Sequence, residues 1–252
     1  MAAQWHGILP MDKPEGMSSH GMVDRVRRIL GTRRVGHGGT LDPLATGLLL
    51  ILLGDATKSC SAAMAGDKDY DATVRLGFST ATDDREGEAL ERGHFESLDR
   101  ESIERALGQF LGEREQIPPQ FCARKIQGVP CYRRGRSGQA VAIAGRVVRV
   151  DRLALLDWNA PLLRLSIGCS PGTYVRSIAR DLGRVLGCPA HLHRLRRTRS
   201  GCFTVAGAWD LAELAGREAG PIAEEMEKNW QLLREKFFTF AEKGFAEAEK
   251  LL

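Results

Sequence analysis

The apolar positions of this chain fall into two rhythms. After Ser18 and Ser19, residues Met22, Val23, Val26, Ile29 and Leu30 recur at helical spacing and Gly31 follows. A capped amphipathic helix is predicted there, with Arg25, Arg27 and Arg28 on its other face. Residues 48–53 are six consecutive apolar side chains, the length of a buried strand and far short of a membrane span. A short helix is expected over 56–65, and residues 70–77 alternate polar and apolar as a half-buried strand does. Ser97 or Asp99 opens a further helix with Ile103, Ala106, Leu107, Phe110 and Leu111 on one face and Gly112 at its end. Strand-like runs follow at 146–150, 153–158 and 162–169, then a Ser170-Pro171-Gly172 turn and an amphipathic helix over 177–187. Many strand-like runs among few capped helices predict an α+β fold, a mixed and largely antiparallel sheet flanked by helices.

The rhythm lapses in three places. Residues 79–94, around Asp83-Asp84-Arg85-Glu86-Gly87, are acidic and suggest a solvated loop. Residues 120–148 form a long basic insertion, dense in Gly and Arg and poor in aliphatics, of the kind that grips nucleic acid. Residues 208–252 read as one or two helices, which divides the chain into a 1–207 domain and a short helical tail.

Composition narrows the partners. With 252 residues, 43% apolar and 27% charged, the chain is an ordinary globular protein. Its opening residues lack a basic segment followed by a long apolar one, so no secretory signal is read and a cytoplasmic location is expected. Six cysteines include no Cys-x-x-Cys pair, and His191 and His193 stand among arginines that would repel a cation, so no metal is expected. No phosphate loop is present either, which leaves cofactor-free chemistry. The net charge of +4 is mild, but arginine concentrates near 25–34, 124–149 and 194–199. Three separated basic clusters suit a polyanion crossing the surface.

Two residues stand out chemically. Asp42 lies in Gly36-His37-Gly38-Gly39-Thr40-Leu41-Asp42-Pro43-Leu44-Ala45-Thr46-Gly47, directly before the apolar run. Glycines permit close approach of a ligand and Pro43 drives Asp42 out of the helical region, so a lone carboxylate is presented at the mouth of a core strand. Asp-Pro is also a common turn dipeptide, and the residues alone leave both readings open. Arg176 falls in the first turn of a helix, against the macrodipole, which calls for a carboxylate or phosphate partner.

The Asp42 string resembles the signature of the TruB-type tRNA pseudouridine synthases, the pseudouridine-55 synthases. The opening Gly-Ile-Leu-x-x-Asp-Lys-Pro, the Lys-x-Tyr at Tyr70, Gly172-Thr173-Tyr174-Val175-Arg176 and Leu195-Arg196-Arg197 are similar to further motifs of that family, in family order from Gly7 to about Gly207. The resemblance implies a pseudouridine-synthase fold with a thumb-like RNA-gripping insertion, and a catalytic set of Asp42, Tyr70 and Arg176. Arg176 would pair with Asp42 and Tyr70 would stack on the uracil. It further implies that His37, Lys125, Tyr174, Leu195, Arg136, Arg196 and Arg197 bind substrate, the T arm of tRNA, and that the protein works as a monomer without cofactor or membrane. Cys122 and Tyr132-Arg133-Arg134-Gly135-Arg136 depart from the family pattern inside the insertion. The small β-barrel RNA-binding domain common at the family's C-terminal end is not recognisable in 208–252. Two other readings compete: a non-catalytic RNA-binding protein on the same scaffold, and a guide-RNA-dependent synthase.

Overall fold

A computed structural model describes residues 5–121, 125–126, 129–130 and 143–249. In chain order the elements are β1 Gly7–Lys13, α1 Ser19–Leu30, β2 Val35–His37, β3 Thr46–Leu53, a 3-10 turn Gly54–Ser59 leading into α2 Cys60–Ala65, β4 Lys68–Leu76, β5 Phe78–Thr80 and β6 Ala89–Arg92. There follow α3 Arg100–Gly108, β7 Gly112–Gln116, the short pair β8 Lys125–Ile126 and β9 Val129–Pro130, β10 Arg146–Asn159 and β11 Leu162–Cys169. The chain continues with α4 Val175–Val185, β12 Ala190–Ser200, β13 Phe203–Thr204, α5 Leu211–Gly216 and α6 Ala219–Glu249. The architecture is α+β with a mixed, mostly antiparallel sheet. Two compact units divide the chain: residues up to Lys68 with those from Arg196 onward, and Asp69–Leu195, so β12 contributes its first part to the second unit and its last part to the first.

In the first unit, β3 is the organising strand. It pairs antiparallel with β1, from Gly7↔Leu53 to Lys13↔Gly47, and parallel with β12 at Arg196↔Thr46 and Arg197↔Gly47. Leu48, Leu50 and Leu52 pack with Ile8, Phe203 and Leu233 on one side, and the opposite-parity Leu49, Ile51 and Leu53 are equally buried. Covered on both faces, the strand is a continuous apolar run instead of an alternating one. At about 1.5–3 kcal/mol for each fully buried leucine, it dominates the core of this unit. Helix α1 begins where expected, the Ser18 hydroxyl accepting from Gly21 N at 3.0 Å, and ends at Gly31 with φ 61°. The tail is helical from Leu211 to Gly216 and again in α6, whose Ile222 and Met226 are buried and whose Asn229 donates to the Ile8 carbonyl.

The second unit runs β7–β10–β11–β4 and on to the first part of β12. Strand β4 alternates as expected, with Tyr70, Ala72, Val74 and Leu76 inward. The two runs expected at 146–150 and 153–158 are one strand, β10, with register shifts at Val150/Arg152 and Leu155/Asp157 that absorb the irregularity in its pattern. Gly112 does not merely end a helix but opens β7, and Leu111 is half exposed, because α3 stops at Gly108 and only Ile103, Ala106, Leu107 and Phe110 reach the core. The expected solvated loop at 79–94 is instead the hairpin β5–β6, with Asp84 turned inside its connection. Among the described residues, no helix is long and apolar enough to cross a membrane.

Candidate active site

The loop that carries Asp42 is anchored residue by residue. Ser19, buried at the start of α1, donates its hydroxyl to the Leu41 carbonyl at 3.0 Å and accepts from the Leu41 amide at 2.8 Å. Gly38 N donates to Leu50 O, Ala45 N to Asp42 O and Gly16 N to Pro43 O. Leu41, Leu44 and Ala45 are buried, while Asp42 between them is half-buried. Two buried cations complete the cradle. Lys13 is fully buried and donates to the carbonyls of Pro14 and Met17 at 2.8 and 2.6 Å and more distantly to Pro43. Arg197, 2% exposed, donates from Nε to Leu48 O at 2.7 Å and from its terminal nitrogens to Gly39 O and Thr40 O at 3.2 and 3.4 Å. Gly47 makes that approach possible: its φ is 96°, and a Cβ there would meet the Arg197 carbonyl oxygen at 2.3 Å.

Arg197 was expected to touch substrate. Strand parity puts it inward beside Leu195, and each of its three nitrogens donates to a backbone carbonyl, Leu48 of β3 and Gly39 and Thr40 of the loop before Asp42. Arg196, on the opposite face of β12, forms a two-pronged pair with Asp12, at 3.0 and 2.6 Å, and stays partly exposed. His37 sits on β2, paired with Ile51. Burial, then the charges of Arg197 and His20, lower its pKa below the ordinary imidazole value, so it is neutral at neutral pH.

In the second unit, Tyr70, Tyr174, Arg176 and Leu195 are the expected site residues. Tyr70 is buried on the inward face of β4, and Leu195 is buried on β12. Tyr174 occupies the N-cap of α4 without capping through its side chain, its backbone extended at φ −101° and ψ 111° after the turn at Gly172 (φ 81°). Arg176 is buried in the first turn of α4. Its guanidinium donates to Thr82 O at 3.2 Å and Phe121 O at 3.0 Å and lies 3.5 Å from the Asp84 carboxylate, itself buried. A carboxylate partner called for by the arginine's position is therefore Asp84, a residue that sequence reasoning left in solvent. Asp84 is in turn held by the Thr82 hydroxyl at 2.5 Å and the Glu86 amide at 3.1 Å. One turn further along α4, Arg180 pairs with Asp83 at 3.0 Å. Asp83 has φ 59°, and burial pushes its carboxyl upward although Arg180 pulls it down.

His191 and His193 lie on β12, and both imidazoles are lowered by burial first and by neighbouring arginines after it. Among the described residues no cluster of three or more His, Cys, Asp or Glu could hold a metal. Lys125 is in β8, but its side chain lies outside the described residues, as do Arg136 and the departures at Cys122 and 132–136.

The α+β fold is shared with chains of solved complexes. A chain of a Cbf5-Nop10-Gar1 complex is 27% identical with a TM-score of 0.68, over 91% of this chain and 59% of that one. A chain of the archaeal box H/ACA sRNP Nop10-Cbf5 complex is 28% identical with a TM-score of 0.62, over 84% and 53%. The family models that match the chain are those of pseudouridylate synthases. The TruB family pseudouridylate synthase N-terminal domain matches residues 27–175, and the tRNA pseudouridylate synthase B C-terminal domain matches 176–235. The tRNA pseudouridine synthase B of Pseudomonas paraeruginosa is 44% identical over 219 residues, 86% of this chain and 72% of that protein. That of Mycobacterium avium is 46% identical over 213 residues, 83% and 69%. The chain belongs to the TruB family.

Proposed function

We propose that this protein converts uridine 55 in the T arm of tRNA to pseudouridine without a cofactor. The C1′–N1 glycosidic bond breaks, the uracil turns within the pocket, C1′–C5 forms, and the proton lost from C5 is balanced by one gained at N1. No atoms enter or leave and no redox change occurs. The target nucleotide must first leave its stack, at a cost of about a few kcal/mol, which aromatic stacking and backbone contacts offset.

The observation that carries this reading is the anchoring of Asp42: a half-buried carboxylate at the family's motif position, on a loop pinned by Ser19 at Leu41, Lys13 at Pro43 and Arg197 at Gly39 and Thr40. A group that acts on a ribose must be held to a fraction of an ångström, and such bracing supplies that. In this assignment Asp42 attacks or deprotonates the sugar, Arg176 keeps that carboxylate ionised and oriented through a charge-assisted pair, and Tyr70 stacks on the uracil and takes part in its deprotonation. Tyr174, Leu195 and Lys125 line the pocket, His37 supports the RNA around the flipped base, and Arg136 and Arg196 contact the RNA. Arg197 serves by bracing. Residues 1–207 form the catalytic domain, with the insertion at 120–148 gripping RNA and 208–252 as a helical tail. The protein works as a cytoplasmic monomer, which light scattering checks for oligomeric state.

Asp42→Asn is the test. The amide is nearly isosteric, so fold and RNA affinity should persist while pseudouridine formation on an unmodified tRNA transcript falls to background. Near-normal turnover in that variant would remove Asp42 from the chemistry, and an unaltered chain that binds the transcript but makes no pseudouridine would favour a scaffold that only binds RNA.

A further inference from the structure

Gln116 is the one fully buried residue of β7, 2% exposed at the strand's last position, while the four before it are exposed or partly so. A buried primary amide must satisfy both its ends. Gln116 does so on a single residue: its Oε1 accepts from the Tyr174 amide at 2.8 Å and its Nε2 donates to the Tyr174 carbonyl at 3.1 Å. The side chain thus copies the paired bonds that a neighbouring strand would make, and fixes both peptide planes flanking Tyr174. Tyr174 has no side-chain cap, and its carbonyl also accepts the first helical bond of α4, from Ile178 N. Its orientation, and the start of α4, therefore depend on Gln116.

The residues that follow extend the grip. The Ile117 carbonyl accepts from the Ser177 hydroxyl and from Arg180 Nη2, both at 2.9 Å, and the Phe121 carbonyl accepts from Arg176 Nη2 at 3.0 Å. Residues 116–121 are thereby laid along the first turns of α4, bonded at positions 174, 176, 177 and 180. Nothing in the packing of β7 alone requires a glutamine, because its partner position across the ladder is the exposed Arg146.

We infer that Gln116 is a positioning residue for the isomerisation, acting through the backbone of Tyr174 and the first turn of α4 that carries Arg176. The inference rests on the assignment of Tyr174 and Arg176 to the substrate pocket. Gln116 touches no substrate; its amide sets where the tyrosine ring and the guanidinium stand. Losing it leaves the RNA-binding surface in place and misplaces the groups that act after binding.

Gln116→Met keeps the shape and removes both hydrogen bonds, and Gln116→Glu keeps the acceptor for Tyr174 N but faces the Tyr174 carbonyl without a donor. The experiment measures single-turnover pseudouridine formation on a tRNA transcript at saturating protein, RNA affinity by filter binding, and folded fraction by thermal melting, with the unaltered chain beside each variant. The expected result is a rate at least tenfold lower per folded molecule in both variants, with Kd within about threefold. Turnover within twofold of the unaltered chain, or a loss confined to affinity or to folded fraction, overturns the inference. Failure of the unaltered chain itself to make pseudouridine would instead overturn the proposed function.

Discussion

The guanidinium of Arg197 meets the carbonyl of Leu48 at 2.7 Å, inside the core, and from there reaches Gly39 and Thr40 on the near side of Asp42. A buried cation is costly unless its nitrogens find acceptors, and here all three nitrogens donate to carbonyls, one on β3 and two on the loop of Asp42. Arg197→Met should therefore lower both stability, by about 1–3 kcal/mol for buried acceptors left unmatched, and turnover, at least tenfold. Urea unfolding and single-turnover rates check the two effects.

The same burial gives a contrast in salt dependence. Exposed arginines such as Arg28 and Arg194 are free to meet phosphate, so their replacement by Ala should reduce the slope of log affinity against log salt by up to about one per lost contact. Arg197→Met should leave that slope unchanged. Filter binding across a salt series distinguishes them, and a flattened slope for Arg197→Met would mean that its charge reaches the RNA.

Ser19 gives a smaller lesion of the same loop. Ser19→Ala removes both bonds to Leu41 and should cost about 1–2 kcal/mol by thermal or urea melting. Pseudouridine formation should slow more than RNA binding weakens, because Asp42 adjoins Leu41.

Asp84 and Arg176 are both buried, at 4% and 5% exposure. Asp84→Ala removes a carboxylate from beside a buried cation and should destabilise by about 3–5 kcal/mol, with turnover lost. Asp84→Asn keeps an acceptor for Thr82 and Glu86 and should be milder in stability than in activity. Melting temperature and product yield, measured on both variants, test the ordering.

His37, His191 and His193 are each lowered by burial, so between their folded pKa values and the ordinary value of about 6.5 the unfolded chain binds more protons than the folded one. Their contribution to stability is complete above that value and is lost as pH falls below it. Asp83, shifted upward, acts in the opposite sense in the carboxylate range, where its contribution is lost as pH rises. The denaturant midpoint should drop from pH 7.5 to pH 5.5. His191→Asn, whose amide can still donate to the Phe78 carbonyl 3.0 Å from His191 Nδ1, should make that drop shallower.

Local signals carried most of the fold: Ser18 and Gly31 bound α1, Asp99 caps α3, and the run 48–53 is the core of β3. The inward turn of Asp83 and Asp84 was hidden because its cause, Arg176 and Arg180, lies more than ninety residues downstream. Acidic residues beside Gly look solvated until a distant cation claims them. Arg197 was legible in principle, since β12 alternates and Leu195 marks the inward side, but a run of arginines draws attention to its charge before its parity. Gln116 gave no signal at all, for its partner is the backbone of another segment, and backbone atoms leave no trace in side-chain identity.

The first unit is built from the two ends of the chain, with the whole of Asp69–Leu195 lying between its halves in sequence. During synthesis, Ser19 and Lys13 are therefore at hand as soon as Asp42 emerges, but Arg197 arrives about one hundred and fifty residues later. Closing so long a loop is slow, and the parallel contact of Gly47 with Arg197 has to close one. A nascent chain thus carries its aspartate on a half-braced loop until β12 is made. The full bracing of that loop is gained late, when the last part of β12 pairs with β3 and the guanidinium of Arg197 comes with it.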